Sequence, residues 1–227
     1  MNLNSVIKQV ESKSDSKPVC NVATNCVEVE ITDDMRENSR GKDTIPETED
    51  GHREPQIREF HRAIGELGEF AFREYVSNTA WNFEHKGGKT QPDFTIHAKD
   101  EGEVDIDIKT RIGLQHYKFD MIAKGDIVGG LHRMYILQWC NWDDDIVQNA
   151  DTEDDLFKDG ATVDEVLEKL QSIVIVGWAD DELVFENGEE QEWLSINGNP
   201  NPNKRKKLVY PVEHIKPMLA FPYSPQR

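Results

Sequence analysis

The stretch from residue 92 to residue 111 constrains the fold most, because it alternates apolar and charged side chains around a single turn. Its sequence is Pro-Asp-Phe-Thr-Ile-His-Ala-Lys-Asp-Glu-Gly-Glu-Val-Asp-Ile-Asp-Ile-Lys-Thr-Arg. Alternation with period two predicts two short strands joined by a turn at 99–103. In the second strand the isoleucine and valine side chains face one way, and Asp105, Asp107 and Lys109 face the other.

Asp93, on the first of these strands, is close enough across the turn to converge with Asp107. Two carboxylates and a lysine on one face can hold a divalent metal ion and a water molecule near a phosphate group. Carboxylate oxygens suit Mg²⁺, which keeps several of its own waters. A lysine beside the ion can orient the water or stabilise developing negative charge. The hairpin therefore favours a site for phosphodiester hydrolysis.

An amphipathic helix is predicted upstream, from about Pro55 to about Ser77. Its apolar residues recur at three- and four-residue steps, at Ile57, Phe60, Ile64, Leu67, Ala71, Phe72 and Tyr75. Glu69 falls beside this apolar stripe, whereas Glu66 falls on the opposite, solvent face. We expect Glu69 to reach the hairpin, and the alternative is a solvated carboxylate on the flank of the helix.

The rest of the chain divides into a tail and one domain. Residues 1–54 are polar and lack sustained periodicity, so we predict a disordered tail, with an isolated alternating segment at 27–31. Residues 55–227 form the predicted domain. Further strands are expected at 80–85, 133–139 and 173–178, and Thr162 with Glu165 has the form of a helix capping box.

The formal net charge of −18 is concentrated in one acidic block. Residues 136–192 contain 18 acidic side chains and two lysines, and they include an acidic connection at about 143–160. Such a block can occupy a basic surface, either the protein's own or that of a basic protein partner. Adaptation of the source to salt is the other explanation.

The cysteine content and the hydropathy pattern bear on location. Three cysteines are an odd number for a disulfide framework, which favours a reducing compartment. No run of about 18 apolar residues occurs, and the first residues have no apolar signal core. We expect a cytoplasmic protein of a prokaryote, or of a virus in its host, with no membrane partner.

The triplet Asp107-Ile-Lys109 gains meaning from its context. An acid-x-Lys triplet occurs four times in this chain, but only this one lies in an alternating strand, after Pro92-Asp93 and a helix that carries a glutamate. That order resembles the PD-(D/E)XK nuclease superfamily, which has the restriction-endonuclease-like fold. The similar residues are Gly65-Glu-Leu-Gly-Glu69, Pro92-Asp93 and Asp107-Ile-Lys109-Thr-Arg111.

The resemblance implies an α/β fold with a mixed central β-sheet flanked by helices, and Mg²⁺ or Mn²⁺ bound at the acids. By that pattern Asp93, Asp107 and the backbone carbonyl of Ile108 would be metal ligands. Lys109 would orient the water, and Glu69 would be the helical acid. Many nucleases of this kind cut both strands as homodimers, although no dimer face is identified here.

Basic residues around the hairpin are expected to contact the DNA backbone. Lys86 and Lys89 flank two glycines in the loop before Asp93, which could equally be an ordinary flexible turn. Arg111 and Lys118 follow the second strand.

We therefore expect a metal-dependent nuclease, specifically an Mg-dependent deoxyribonuclease of restriction, repair, recombination or viral DNA processing. The alternative is a non-catalytic binding or regulatory protein on the same scaffold, in which the acidic block binds a basic partner or mimics DNA. A further alternative is an active nuclease whose acidic block covers its own DNA cleft. Asp105 would be a solvated strand residue or an alternate ligand.

Overall fold

The computed structural model describes residues 26–39, 55–86, 92–99, 102–112, 118–123, 133–143, 153–157, 159–192, 206–211, 214–218 and 221–222. In chain order, its elements are β1 (Val27–Glu30), α1 (Asp33–Ser39), α2 (Pro55–Ser77), β2 (Asn82–His85), β3 (Phe94–Ala98), β4 (Gly102–Arg111), β5 (Lys118–Ala123), β6 (Arg133–Trp142), a short 3-10 helix (Glu153–Phe157), α3 (Val163–Leu167), β7 (Leu170–Asp180), α4 (Asp181–Asn187), β8 (Glu189–Glu192) and β9 (Lys206–Pro211).

Six strands form a mixed central sheet in the order β1-β7-β6-β4-β3-β2. All its neighbours are antiparallel except β4 and β6, which run parallel. Strands β5, β9 and β8 form a second, three-stranded sheet. The predicted α/β class with a mixed central sheet is confirmed.

The amphipathic helix has the bounds that its periodicity predicts, since α2 runs from Pro55 to Ser77. Proline is favoured at the first position of a helix, where its missing N–H has no intrahelical partner to lose. The apolar stripe is buried, with Phe60, Leu67 and Ala71 fully enclosed. The helix packs this stripe on the central sheet and so carries Glu69 to the sheet surface.

The hairpin of β3 and β4 has the predicted form. Phe94 pairs with Ile106, Thr95 with Asp105, and the pairing ends at Ala98 and Gly102 beside the turn. Gly102 has a φ of 78°, a left-handed conformation that favours glycine. The predicted strand at 133–139 is also confirmed, because β6 lies between β4 and β7 in the sheet.

The prediction of a disordered tail over 1–54 is wrong for residues 26–39. Strand β1 pairs antiparallel with β7 at one edge of the central sheet and is followed directly by α1. Val29 is buried there, and Glu28 Oε1 accepts a hydrogen bond from Ser172 Oγ at 2.6 Å. The alternation of valine and glutamate is therefore that of an edge strand with one covered face. The other residues of the tail lie outside the described ranges.

The acidic region contains both expected and unexpected structure. The capping box at α3 is confirmed, because Thr162 Oγ1 accepts from the Glu165 backbone and Glu165 accepts from the Thr162 backbone. At the end of β7, Asp180 caps α4, because its side chain accepts a hydrogen bond from the Leu183 backbone N–H. Of the connection at 143–160, the structure describes residues 143, 153–157, 159 and 160. No helix within the described ranges has the length and apolar character needed to cross a membrane.

Candidate functional site

The Asp93 carboxylate is anchored where β3 joins the sheet. Phe94 is the first residue of β3 and pairs with Ile106, so Asp93, one residue earlier, lies opposite Asp107. Asp93 Oδ2 accepts a hydrogen bond from the backbone N–H of Ile108 at 2.6 Å. The carboxylate thereby satisfies a main-chain donor of β4 beyond the end of the β3 ladder.

Asp107 and Lys109 occupy alternate positions of β4, and Lys109 Nζ lies 3.9 Å from Asp107 Oδ2. Asp107 is only 7% exposed. Its neighbour on β6 is Tyr135, whose ring centroid lies 6.0 Å from Lys109 Nζ. The Tyr135 hydroxyl donates to Asp181 Oδ1 at 2.8 Å. The ammonium group is thus placed between a carboxylate and the face of a fixed ring, both of which attract a cation.

Glu69 is brought to the same region by the close approach of α2 to β4. Gly68 precedes it, and a Cβ at Gly68 would overlap the Thr110 hydroxyl oxygen of β4. Glu69 Oε2 lies 2.7 Å from Nε2 of His85 on β2. The side chains of this pair are 26% and 33% exposed, respectively. Glu69 is therefore held beside the hairpin by a hydrogen bond with His85.

Asp93 has an altered pKa, which reports the burial and the charges around it. The pKa of Asp93 is raised from 3.8 to about 6, mainly by burial and also by the negative charges of Glu69 and Asp107. The hydrogen bond from Ile108 and the cation of Lys109 lower it, although they do not offset the rise. The charges of Glu69, Asp107 and Lys109 thus act on Asp93, and Asp107 and Lys109 are in close side-chain contact at 3.9 Å.

The donor set fits a magnesium ion that keeps part of its hydration shell. Among the described residues, no three Asp, Glu, His or Cys side chains are grouped so as to hold a metal ion by themselves. Mg²⁺ needs no such cage, because one or two carboxylates and several waters are its usual ligands. A cation at Asp93 and Asp107 would also relieve the repulsion that raises the Asp93 pKa. Ile108, whose carbonyl is the further predicted ligand, directly follows Asp107 on β4.

Of the four basic residues predicted to contact DNA, the structure describes the side chains of Lys86 and Arg111. Lys86 is the first residue after β2, where its Nζ is 3.1 Å from Glu84 Oε2, and this contact raises the Lys86 pKa. Arg111 is the last residue of β4. Lys118 begins β5, where only the backbone is described, and Lys89 lies outside the described ranges.

The structure also shows the surroundings of two further acids, Asp105 and Glu66. Asp105 Oδ1 accepts a hydrogen bond from Thr95 Oγ1 at 3.0 Å, and β4 is an interior strand, so Asp105 belongs to a cross-strand pair. Glu66 was expected on the solvent face, but its side chain is only 21% exposed and lies 4.0 Å from Arg62 Nε. That expectation about Glu66 is wrong, because neighbouring elements cover more of α2 than its apolar stripe.

His85 and Tyr135 are members of this site that sequence reasoning missed. A signal for His85 was present in the register, since it ends a strand beside Pro92-Asp93 and pairs with Phe94. Tyr135 lies on a strand that only the parallel pairing brings next to Asp107.

No protein-family model matches the chain, and no curated protein matches it significantly in sequence.

Proposed function

We propose that this protein is a divalent-metal-dependent nuclease that hydrolyses phosphodiester bonds in DNA and has a restriction-endonuclease-like core. The observation that carries the proposal is the Asp93 carboxylate, bound to the Ile108 N–H opposite Asp107, in the field of Glu69 and Lys109. A buried carboxyl group whose pKa is raised by burial and by two neighbouring acids, beside a lysine, is typical of a site that binds a cation and a phosphate.

The order of elements supports the same proposal. Helix α2 precedes the antiparallel strands β2, β3 and β4, and β6 then lies parallel to β4. The motif residues cluster on this core, with Gly68 and Glu69 on the helix, Asp93 at the start of β3, and Asp107 and Lys109 on β4. The helical motif precedes the hairpin that carries the other two motifs, and a shared site requires that helix and hairpin meet in space.

Each side chain has a role that its position supports. Mg²⁺ or Mn²⁺, when bound, would lower the pKa of a water and screen the phosphate charge. Asp93 and Asp107 would hold the ion. Lys109, kept in place by Asp107 and the Tyr135 ring, would orient the water and stabilise the charge that develops on the phosphate oxygens. Hydrolysis then joins the water oxygen to phosphorus and breaks one ester P–O bond, and the leaving oxygen takes up a proton.

The deciding experiment measures cleavage of supercoiled plasmid and of linear single- and double-stranded DNA, with Mg²⁺, with Mn²⁺ and with EDTA. Asp107→Asn and Lys109→Ala should each lower the rate by about 100-fold or more. Asp105→Asn is the matched control, because it alters a carboxylate on the same strand whose partner is Thr95. We expect this control to cut at the wild-type rate.

Equal losses in all three variants would point to damaged folding and would contradict the assignment of Asp107 and Lys109. Complete inactivity of folded wild type with either metal, over several salt concentrations, would refute the nuclease proposal. Linear single- and double-stranded RNA substrates, assayed in parallel, test whether DNA is the preferred nucleic acid.

A second candidate function is a binding protein that uses its acidic block. Acidic side chains are exposed at both ends of β7, at Asp164 and Glu168 in and just after α3 and at Glu182 and Glu186 in α4. Acidic surfaces of this kind attract a basic protein partner, an interaction that salt weakens. Capture of a basic partner by catalytically silent protein, with binding lost when these four residues are neutralised, would favour this candidate.

A further inference from the structure

His85 links Glu69 of α2 to Phe94 of β3 by contacts of its imidazole ring. Its Nε2 lies 2.7 Å from Glu69 Oε2, and its ring lies on Phe94, with centroids 4.8 Å apart and planes 33° apart. Phe94 in turn contacts Phe72 of α2 edge-on at 5.2 Å. Phe72 is three residues after Glu69, on the same side of the helix. The imidazole is therefore fixed at its face by Phe94 and at its nitrogen by Glu69.

The direction of the His85–Glu69 hydrogen bond follows from the chemistry of the two groups. An ionised carboxylate only accepts, so the histidine Nε2 must carry the hydrogen. One oxygen of Glu69 is thus held by His85, and Oε1 is the oxygen that can meet a cation or a cation-bound water. Carboxylates that serve metal ions are commonly oriented in this way by a neighbouring donor.

The backbone next to His85 ties this pair to the metal-binding carboxylates. Lys86, the following residue, donates its backbone N–H to the Asp93 carbonyl oxygen at 3.1 Å. Strand β2 therefore places the histidine between the helical acid and the hairpin acids.

We infer that His85 is a positioning residue, which holds the Glu69 carboxylate for the divalent cation at Asp93 and Asp107. This inference rests on the proposed function. Without the imidazole, the partly exposed Glu69 side chain would sample other rotamers and would lose affinity for the ion by having to be ordered again on binding. An ion pair that merely stabilises the fold would not affect the metal.

The test measures Mn²⁺ affinity directly, from the loss of the electron paramagnetic resonance signal of free Mn²⁺, with no substrate present. His85→Phe keeps a ring against Phe94 and removes the donor, whereas His85→Gln keeps a donor and removes the ring. We expect His85→Phe to bind Mn²⁺ about 10- to 100-fold more weakly than wild type, and His85→Gln to recover most of that loss. His97→Phe is the matched control, because His97 faces another carboxylate, Glu103, at 4.0 Å.

The outcomes separate the inference from the proposed function. Wild-type affinity in folded His85→Phe would overturn the role of His85 and leave the nuclease proposal standing, and equal losses in His85→Phe and His85→Gln would also overturn it. Absence of Mn²⁺ binding by wild type would overturn the nuclease proposal itself, and the inference with it. If His85→Phe does not fold, as judged by circular dichroism, His85→Ala takes its place with the same expectations.

Discussion

Two glycines of α2 provide a sharp test of how the helix meets the sheet. A Cβ at Gly65 would have no atom within 4 Å, and Gly65 is exposed. A Cβ at Gly68 would overlap Thr110 Oγ1 and would lie 2.9 Å from Gln138 Oε1 and 3.1 Å from Thr110 Cβ. The same substitution, glycine to alanine, should therefore have opposite effects at two positions three residues apart.

The magnitudes follow from three contributions. Alanine is favoured over glycine inside a helix by about 1 kcal/mol, and at Gly65 no other effect opposes this gain. At Gly68 the overlap costs about 1–3 kcal/mol. The hydrogen bond from Thr110 Oγ1 to the fully buried Gln138, 3.2 Å long, would be strained as well, at about 1 kcal/mol. Gly65→Ala should raise the free energy of unfolding by up to about 1 kcal/mol, and Gly68→Ala should lower it by about 1–3 kcal/mol.

Urea unfolding, followed by tryptophan fluorescence and by circular dichroism, measures both changes. Gly68→Ala should also weaken Mn²⁺ binding, because α2 must move away from β4 and takes Glu69 with it. Adding Thr110→Ala should restore part of the stability by removing the overlapping oxygen, which would appear as a non-additive double mutant. Equal stability of Gly65→Ala and Gly68→Ala would refute the close contact, and with it the placement of Glu69.

Three further predictions use the same unfolding assay. The Asp93 pKa is raised from 3.8 to about 6, mainly by burial, so the folded state binds this proton more tightly than the unfolded chain. Protonation of Asp93 therefore adds to the free energy of unfolding, fully below about pH 3.8, and this contribution is lost as the pH rises through about 6. Asp93→Asn should therefore be more stable than wild type at pH 7.5, by on the order of 2 kcal/mol, and equal to it near pH 3.5; a constant difference would contradict this. Ile31→Ala, beside β1, should cost about 2–3 kcal/mol, whereas no loss would mean that this segment does not pack on the sheet. Thr162→Ala should cost about 1 kcal/mol through the lost cap of α3, and Thr162→Ser should restore most of it.

Local pattern was sufficient for α2 and for the hairpin. The bounds Pro55 and Ser77 follow from one continuous apolar stripe, and the pairing of β3 with β4 follows from alternation on both sides of a short turn. The four acid and lysine positions of the site are contributed by these two units. Their meeting was therefore open to prediction from spacing together with the family resemblance.

Contacts that depend on distant partners were not open to prediction. Strand β1 looked isolated because its partner, β7, is about 145 residues away, and Tyr135 joins the site only through the parallel pairing of β6 with β4. A helical wheel gives the angle of Glu66 but not how far neighbouring elements extend over it. The role of His85 depends on its hydrogen bond to Glu69, which the position of His85 at the end of β2 does not by itself reveal.

The remote partner of β1 also has a consequence for how the chain is made. Glu28 bonds to a residue 144 positions later, so at synthesis rates of about 5–20 residues per second β1 exists for roughly 7–30 s before β7 can pair with it. During that interval a short, unpaired strand is at risk of joining the wrong edge. Charged residues on an unpaired strand oppose such association, and β1 carries Glu28 and Glu30 beside its two valines. The same carboxylate that later fastens β1 to β7 would thus keep the nascent strand apart from other chains while it waits.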